Sequence, residues 1–402
     1  MSSAYSAEID AHHFHLLLRS ADRGLRPRDL ARGRRHGNGA TRAQRRRREG
    51  EADSCSMARR RLEEAVNTAR ELNEQLELMK PEQSLQHPQH VLLPRDSYGI
   101  YSLQFSPSVR KLAVGFGNGA VQVLRVPEGT PQADLCLGHP KRQAVTCMAF
   151  HPKNMDLLVA ASADGSVNVY NSETSECILS FTEEGNEING LDFCLDGSVY
   201  ATCGKDKNIR VYDSQTNQMV HMYEAPDISC EDISLTSGHS RRIFALKFHP
   251  EELHYFVTGG WDNSLKIWDK RIPSCARKLI IGPHICGPGI DIKGNKVLTA
   301  SWVAQNSLQL WDFGSCKQEK QIPIPSEPQQ GEFLYAAQFC SRDVVIAGGS
   351  GTNTAHVINY KTDQVLGNVP IGKAVQVLDT ALGGKHIAVA GVGGNLHLTS
   401  LV

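Results

Sequence analysis

From residue 89 onward, hydrophobic and polar residues alternate with a period of two in short segments that recur at regular intervals. YSLQFSP (101–107), TCMAFHP (146–152), NGLDFCLDG (189–197) and FALKFHP (244–250) align with one another. Each reads as a half-buried strand closed by a Pro or Asp-Gly turn. A second and a third alternating run follow each one: KLAVGFGNGAVQVLRV, LLVAASADGSVNVYN, VYATCGKDKNIRVYD and YFVTGGWDNSLKIWD. Three more worn copies are IDIKGNKVLTASWVAQNSLQLWD, AAQFCSRDVVIAGGSGTNTAHVINY and VQVLDTALGGKHIAVAGVGGNLHLTSL. Seven units of roughly 45 residues each match the period of four-stranded propeller blades.

The pattern ahead of the repeats is different. MARRRLEEAVNTARELNEQLELMK (57–80) spaces Leu62, Ala65, Ala69, Leu72, Leu76 and Met79 by threes and fours, which predicts an amphipathic, coiled-coil-like helix stopped by Pro81. Residues 1–56 show no sustained apolar period and predict a disordered, Arg-rich arm. Its RAQRRRREGE run reads as a nuclear-import or RNA-binding arm or as a solvated tail. Its lysine-free composition also fits sequence upstream of a start at Met57.

The repeats carry signatures of a known family. Gly138-His139 and Gly238-His239 match a Gly-His signature, and Trp268-Asp269 and Trp311-Asp312 match a Trp-Asp ending. Tyr212-Asp213 and Tyr170-Asn171 are softened versions. In these residues the chain resembles the WD-repeat family over nearly everything after residue 88. The resemblance implies an all-β fold, a seven-bladed β-propeller over 89–402. The seventh unit ends after its third strand, so HVLLPR (90–95) is expected to supply the outer strand of the last blade and close the ring.

GHSRRIFALKFHPEELHYFVTGGWDNSLKIWDKR (238–271) is the most complete copy. The resemblance places His239, Thr258, Asp262 and Trp268 on a buried hydrogen-bonded chain: Asp accepts from the imidazole, and the indole N–H ends the chain. As an enzyme, His, Asp and Thr would suggest a triad. No oxyanion or substrate feature accompanies them, and fragments of the set recur elsewhere. Thr202, Asp206 and Tyr212 repeat it in the third unit; His139, Asp164 and Tyr170 repeat it in the second, with Ala160 at the hydroxyl position. A structural role is expected, and the protein is read as a non-enzyme without cofactor or metal.

Function is therefore sought on the surface. The links entering each first strand and the turns between second and third strands share one face of such a fold. Arg142, Lys205, Arg241, Arg242, Trp261, Trp302 and Tyr335 fall there. Arg, Trp and Tyr dominate interface energetics, and adjacent Arg241-Arg242 suit an acidic or phosphorylated peptide. The stretch FVTGGWDNSLKIWDKR also resembles the WD-x-R box of cullin-4 ubiquitin-ligase substrate receptors. That likeness implies docking of the damaged-DNA-binding adaptor through Asp269 and Arg271, with Asp262 and Trp268 as its other marked positions. A scaffold in a multiprotein assembly is the leading expectation. A cullin-4 receptor comes second, and a ciliary or cytoskeletal component third.

Charge and composition narrow the classes further. The formal net charge is zero, but residues 1–61 hold 15 Arg and 7 acids, so a basic arm precedes an acidic body. The 11 Cys show no C-x-x-C, which predicts reduced thiols and no zinc site. No apolar run reaches the roughly 18 residues of a membrane span. A soluble protein of the cytoplasm or nucleus is expected, with nucleic acid bound only through the arm.

Overall fold

Each alternating segment forms a strand in the computed structural model, which describes residues 84–226, 237–326, 330–341 and 343–402. The expected arm and the 57–80 helix lie outside the described residues. Among those residues 28 strands form seven four-stranded sheets. Blade 1 holds the strands Ile100–Phe105, Lys111–Phe116, Val121–Arg125 and Pro131–Cys136, all antiparallel. Blades 2 to 6 repeat this order, their first strands being Val145–Phe150, Ile188–Phe193, Ile243–Phe248, Ile290–Lys293 and Leu334–Phe339. The first strand of each blade contacts that of the next, and Val375–Ala381 of blade 7 returns to blade 1.

Blade 7 draws its outer strand from the other end of the domain: Gln89–Val91 pairs antiparallel with Leu396–Thr399. The strand is shorter than the 90–95 run that suggested it. Leu92 is exposed while Leu93 turns into the core, and Pro94 has no N–H to give a ladder. Leu85 bridges to Leu401, and Ser84 and Val402 exchange backbone hydrogen bonds, which extends the closure. Val91 and Leu93 belong to the apolar core between blades 7 and 1.

Two devices recur on the inner strands. Six of the seven carry a bulge at the same place, where Tyr101, Thr146, Asn189, Phe244, Tyr335 and Gln376 stand outside the ladder. Toward the other end of these strands lies a polar girdle of Gln104, Asp192, Lys247, Asp291, Gln338 and Asp379. Its carboxylates bind the neighbouring blade: Asp192 accepts from the Phe248 N–H (2.8 Å), Asp291 from Phe339 (2.8 Å) and Asp379 from Phe105 (2.6 Å). Gln338 also donates to Asp379 at 3.0 Å. Burial raises all three carboxyls, Asp379 to about 6. Lys247, 3.9 Å from Asp192, is held firmly charged by Asp192, then by Asp291 and Asp379.

One cation thus offsets three crowded carboxylates. Lys247→Met is expected to cost about 2 kcal/mol at neutral pH, below the value for a fully dry pair because the side chains remain partly accessible. A carboxyl raised in the fold destabilises it as pH rises through the folded value, so the loss should shrink below Asp379's value of about 6. Urea unfolding at neutral and at mildly acidic pH reads this directly. An equal loss at both would show that Lys247 does not compensate the carboxylates.

Candidate functional site

In blade 4, the turn between the strands Tyr255–Gly260 and Ser264–Asp269 brings Asp262 back toward the link that precedes Ile243. His239 Nδ1 lies 2.8 Å from Asp262 Oδ2, and its Nε2 lies 2.7 Å from Thr258 Oγ1. Trp268 Nε1 donates to the same hydroxyl at 2.7 Å. Asp262 also accepts from the Ser264 hydroxyl (2.8 Å) and the Ser240 N–H (3.2 Å). With Trp268 donating to Thr258, the hydroxyl hydrogen is free for Nε2, which leaves Nδ1–H to Asp262. Burial lowers the His239 pKa and favours this neutral form. Burial alone would raise the Asp262 carboxyl; its hydrogen bonds, led by that from His239, bring it below the ordinary range.

This geometry cannot serve as a catalytic triad. His239 and Thr258 are both 0% exposed, and every polar atom of the chain already has a partner within it. A nucleophile needs an open approach for substrate, which Thr258 lacks.

The other blades alter the wiring. In blade 5 only its last link remains, Trp311 donating to Thr299 at 3.1 Å. In blade 3 a buried carboxylate, Glu183, replaces the imidazole. Thr202 and Tyr212 both donate to it, as do Asn186 (2.7 Å) and Arg210 (3.1 Å). Asp206 pairs with Arg210 instead. Sequence alignment misses Glu183 because the family pattern sets a histidine, not an acid, before the first strand. The blade 2 reading needs correction. His139 is exposed and accepts from the Lys141 N–H, and Asp164 is engaged by Ser166. With Ala160 at the hydroxyl position, no buried partner draws the imidazole inward.

On the upper face, formed by the links into the first strands and the turns after the second, blades 4 to 6 gather aromatic groups. Trp261 is 40% exposed; it donates to Cys286 Sγ at 2.9 Å and packs on Phe244 with 5.2 Å between ring centroids. Trp302 is also 40% exposed and lies 5.0 Å from Phe333. The 282–289 link touches both residues, Cys286 meeting the Trp261 indole and the His284 carbonyl accepting from the Trp302 backbone N–H. Partly buried Tyr335 packs beside Gly287 of the same link. Phe244 and Phe333 were not singled out from the sequence. Phe244 shares the bulge position of Tyr101 and Tyr335, which would have revealed it.

The cations divide into committed and exposed ones. Arg242 sits 5.0 Å from the Trp261 ring centroid and pairs with Glu187 at 3.3 Å. Lys205 pairs with the same carboxylate, whose pKa is lowered first by that hydrogen bond. Arg241 stays exposed. The expected Arg241-Arg242 clamp is therefore one exposed guanidinium beside one stacked on Trp261. Arg142 stands apart on the link into blade 2, exposed and 3.5 Å from Cys136 Sγ.

At the opposite end of Ser264–Asp269, Arg271 clasps Asp269 through both Nε (2.9 Å) and Nη2 (2.7 Å). The Asp269 side chain is 2% exposed and its pKa falls to about 2, chiefly through Arg271, while the Arg271 side chain remains 56% exposed. Arg271 and Trp261 thus mark opposite faces. Among the described residues no cluster could hold a metal ion, and no helix is long and apolar enough to cross a membrane.

Residues 148–237 match the family model of the anaphase-promoting complex subunit 4 WD40 domain, and residues 231–269 match the WD domain, G-beta repeat. The chain is 23% identical over 236 residues to cell division cycle 20.1, cofactor of APC complex, from Arabidopsis thaliana, covering 56% of this chain and 47% of that protein. It is 25% identical over 161 residues to the GATOR2 complex protein WDR24 of Danio rerio, 39% of this chain and 19% of that one. It is 25% identical over 176 residues to DDB1- and CUL4-associated factor 13 of Xenopus tropicalis, 36% and 39% of the two chains. The chain spans less than half the length of each of these relatives. The repeat models matched across residues 148–269, together with the seven four-stranded blades and the His239–Trp268 chain, support a WD-repeat β-propeller family for this chain.

Proposed function

We propose that the protein is a scaffold that binds another protein across the upper face of blades 4 to 6. One observation carries this reading: Trp261 and Trp302, each 40% exposed, touch one link with Arg241 exposed beside them. A rigid indole offers a large contact area at little entropic cost, and an adjacent guanidinium adds recognition of an acidic or phosphorylated segment. Relatives named as a GATOR2 complex protein and a cofactor of the APC complex support a role in assemblies.

A second reading uses the lower face. Arg271 is fixed by Asp269 yet more than half exposed, as a docking side chain would be. The relative named DDB1- and CUL4-associated factor 13 favours a cullin-4 adaptor as its partner.

Affinity capture with wild type, a Trp261→Ala/Arg241→Ala protein and Arg271→Ala separates the two. The scaffold reading expects the main partner to be weakened by at least about 30-fold in the double variant, the effect of losing a hot spot, and retained by Arg271→Ala. Loss of a cullin adaptor with Arg271→Ala alone would establish the second reading. Identical partners at identical yield from all three proteins would overturn both.

A further inference from the structure

The closing strand of the ring is held in three cross-strand pairs, and the middle one sets His90 opposite His397. Their rings stack with centroids 4.9 Å apart and 22° between planes. Nδ1 of His397 is buried without a hydrogen-bond partner. Leu396 and Leu398, on either side of His397, enter the core shared with blade 1. Val389, paired with His397 inside the sheet, enters the core shared with blade 6. The stacked pair therefore faces blade 6.

Among the described residues no carboxylate stands opposite to neutralise it. The facing outer strand of blade 6, Gln364–Pro370, has no ionisable side chain, and Leu85 packs at its Gly367. Before that strand, Asp363 is paired with Lys320 and Lys361 with Asp343. Above it, Lys373 packs at Gly393. On the other side of the closing strand a groove of about 230 Å³ is lined by His87, Lys385 and His386 and by no acid. Beyond it the blade 1 turn carries exposed Arg125 and Glu128, and its Gly129 touches Val91 and Leu398.

We propose that His90 and His397 form an acid-sensitive latch: charging the stacked pair releases the closing strand and bares the edge of Leu396–Thr399. Two cations directly opposite each other across a strand pair repel, and histidine is the side chain that gains charge in mildly acid surroundings. Burial, then His90, lowers the His397 pKa from its ordinary 6.5. A base lowered in the fold binds protons more readily once released, so closure is fully favoured above that ordinary value and weakens as pH falls through it. The open edge would present unpaired N–H and C=O groups to an extended peptide.

Hydrogen exchange of the full chain at about pH 7.5 and about pH 5.5, corrected for intrinsic rates, tests the latch across the histidine range. Peptides covering 84–91 and 396–402 should lose at least about fivefold in protection at the lower pH. The blade 5 strand Lys296–Ala300, the reference, should keep its protection. His90→Gln/His397→Gln should abolish the selective loss. Equal protection of the latch at both pH values, or a selective loss that survives in the double variant, would overturn the proposal. Should the double variant lose the reference protection at pH 7.5, His90→Gln alone decides: His90 is exposed, and the pH dependence must shrink with it.

Discussion

Asp262→Ala should lower the unfolding free energy by about 3 kcal/mol, through loss of a buried acceptor that serves several donors at once. The substitution leaves His239 Nδ1–H, 0% exposed, with no acceptor, and frees the Ser240 N–H and the Ser264 hydroxyl. Asp262→Asn keeps the shape and one acceptor oxygen, so about half that loss is expected. The pH profile adds a sign. The Asp262 carboxyl is lowered in the fold, so its contribution is complete above its ordinary 3.8 and is lost only as pH falls through the lower folded value. Denaturant unfolding between neutral and mildly acid pH should thus show a constant difference from wild type. A variant within about 0.5 kcal/mol of wild type, the scatter of ordinary surface changes, would remove the structural role of the chain.

A chain beginning at Ser84 should fold, whereas one beginning at Asp96 should not hold a closed ring. The longer deletion removes Val91 and Leu93, 8% and 6% exposed, from the core between blades 7 and 1. It also removes every cross-strand bond to the outer edge of Leu396–Thr399. Two buried aliphatic side chains and a ladder together amount to roughly 5 kcal/mol or more. That is comparable with the whole stability of many domains. An uncovered edge also invites pairing between molecules. Circular dichroism melts and size-exclusion chromatography of both chains decide the matter: the Asp96 chain should melt early or aggregate. Matching melts and elution would show that Gln89–Val91 is dispensable.

The propeller was legible because strand alternation survives even in worn copies: a period of two needs only the apolar positions to persist. His239, Thr258, Asp262 and Trp268 were legible for a related reason, since local hairpin geometry fixes their spacing. The Glu183 hub was not, because its chemistry comes from a different residue type with Arg210 as its partner. Nor was the state of Arg242, which depends on Glu187, 55 positions away. The girdle escaped because each member is one polar residue at the same place in an inner strand. Only the closed ring makes Asp192, Lys247, Asp291 and Asp379 neighbours in one electrostatic environment. The chain reports its ladders plainly and its blade-to-blade contacts poorly.

The repeated bulge has a consequence for how such a protein can change over generations. A bulged residue is left out of the ladder, so its side chain can be exchanged without disturbing a cross-strand pair. Thr146 and Asn189 are tied down, each donating to a carbonyl of the next blade, at Ile188 and Ile243. Tyr101, Phe244, Tyr335 and Gln376 carry no such tie to the next blade. At those four positions a side chain can therefore be exchanged without breaking a hydrogen bond to the next blade.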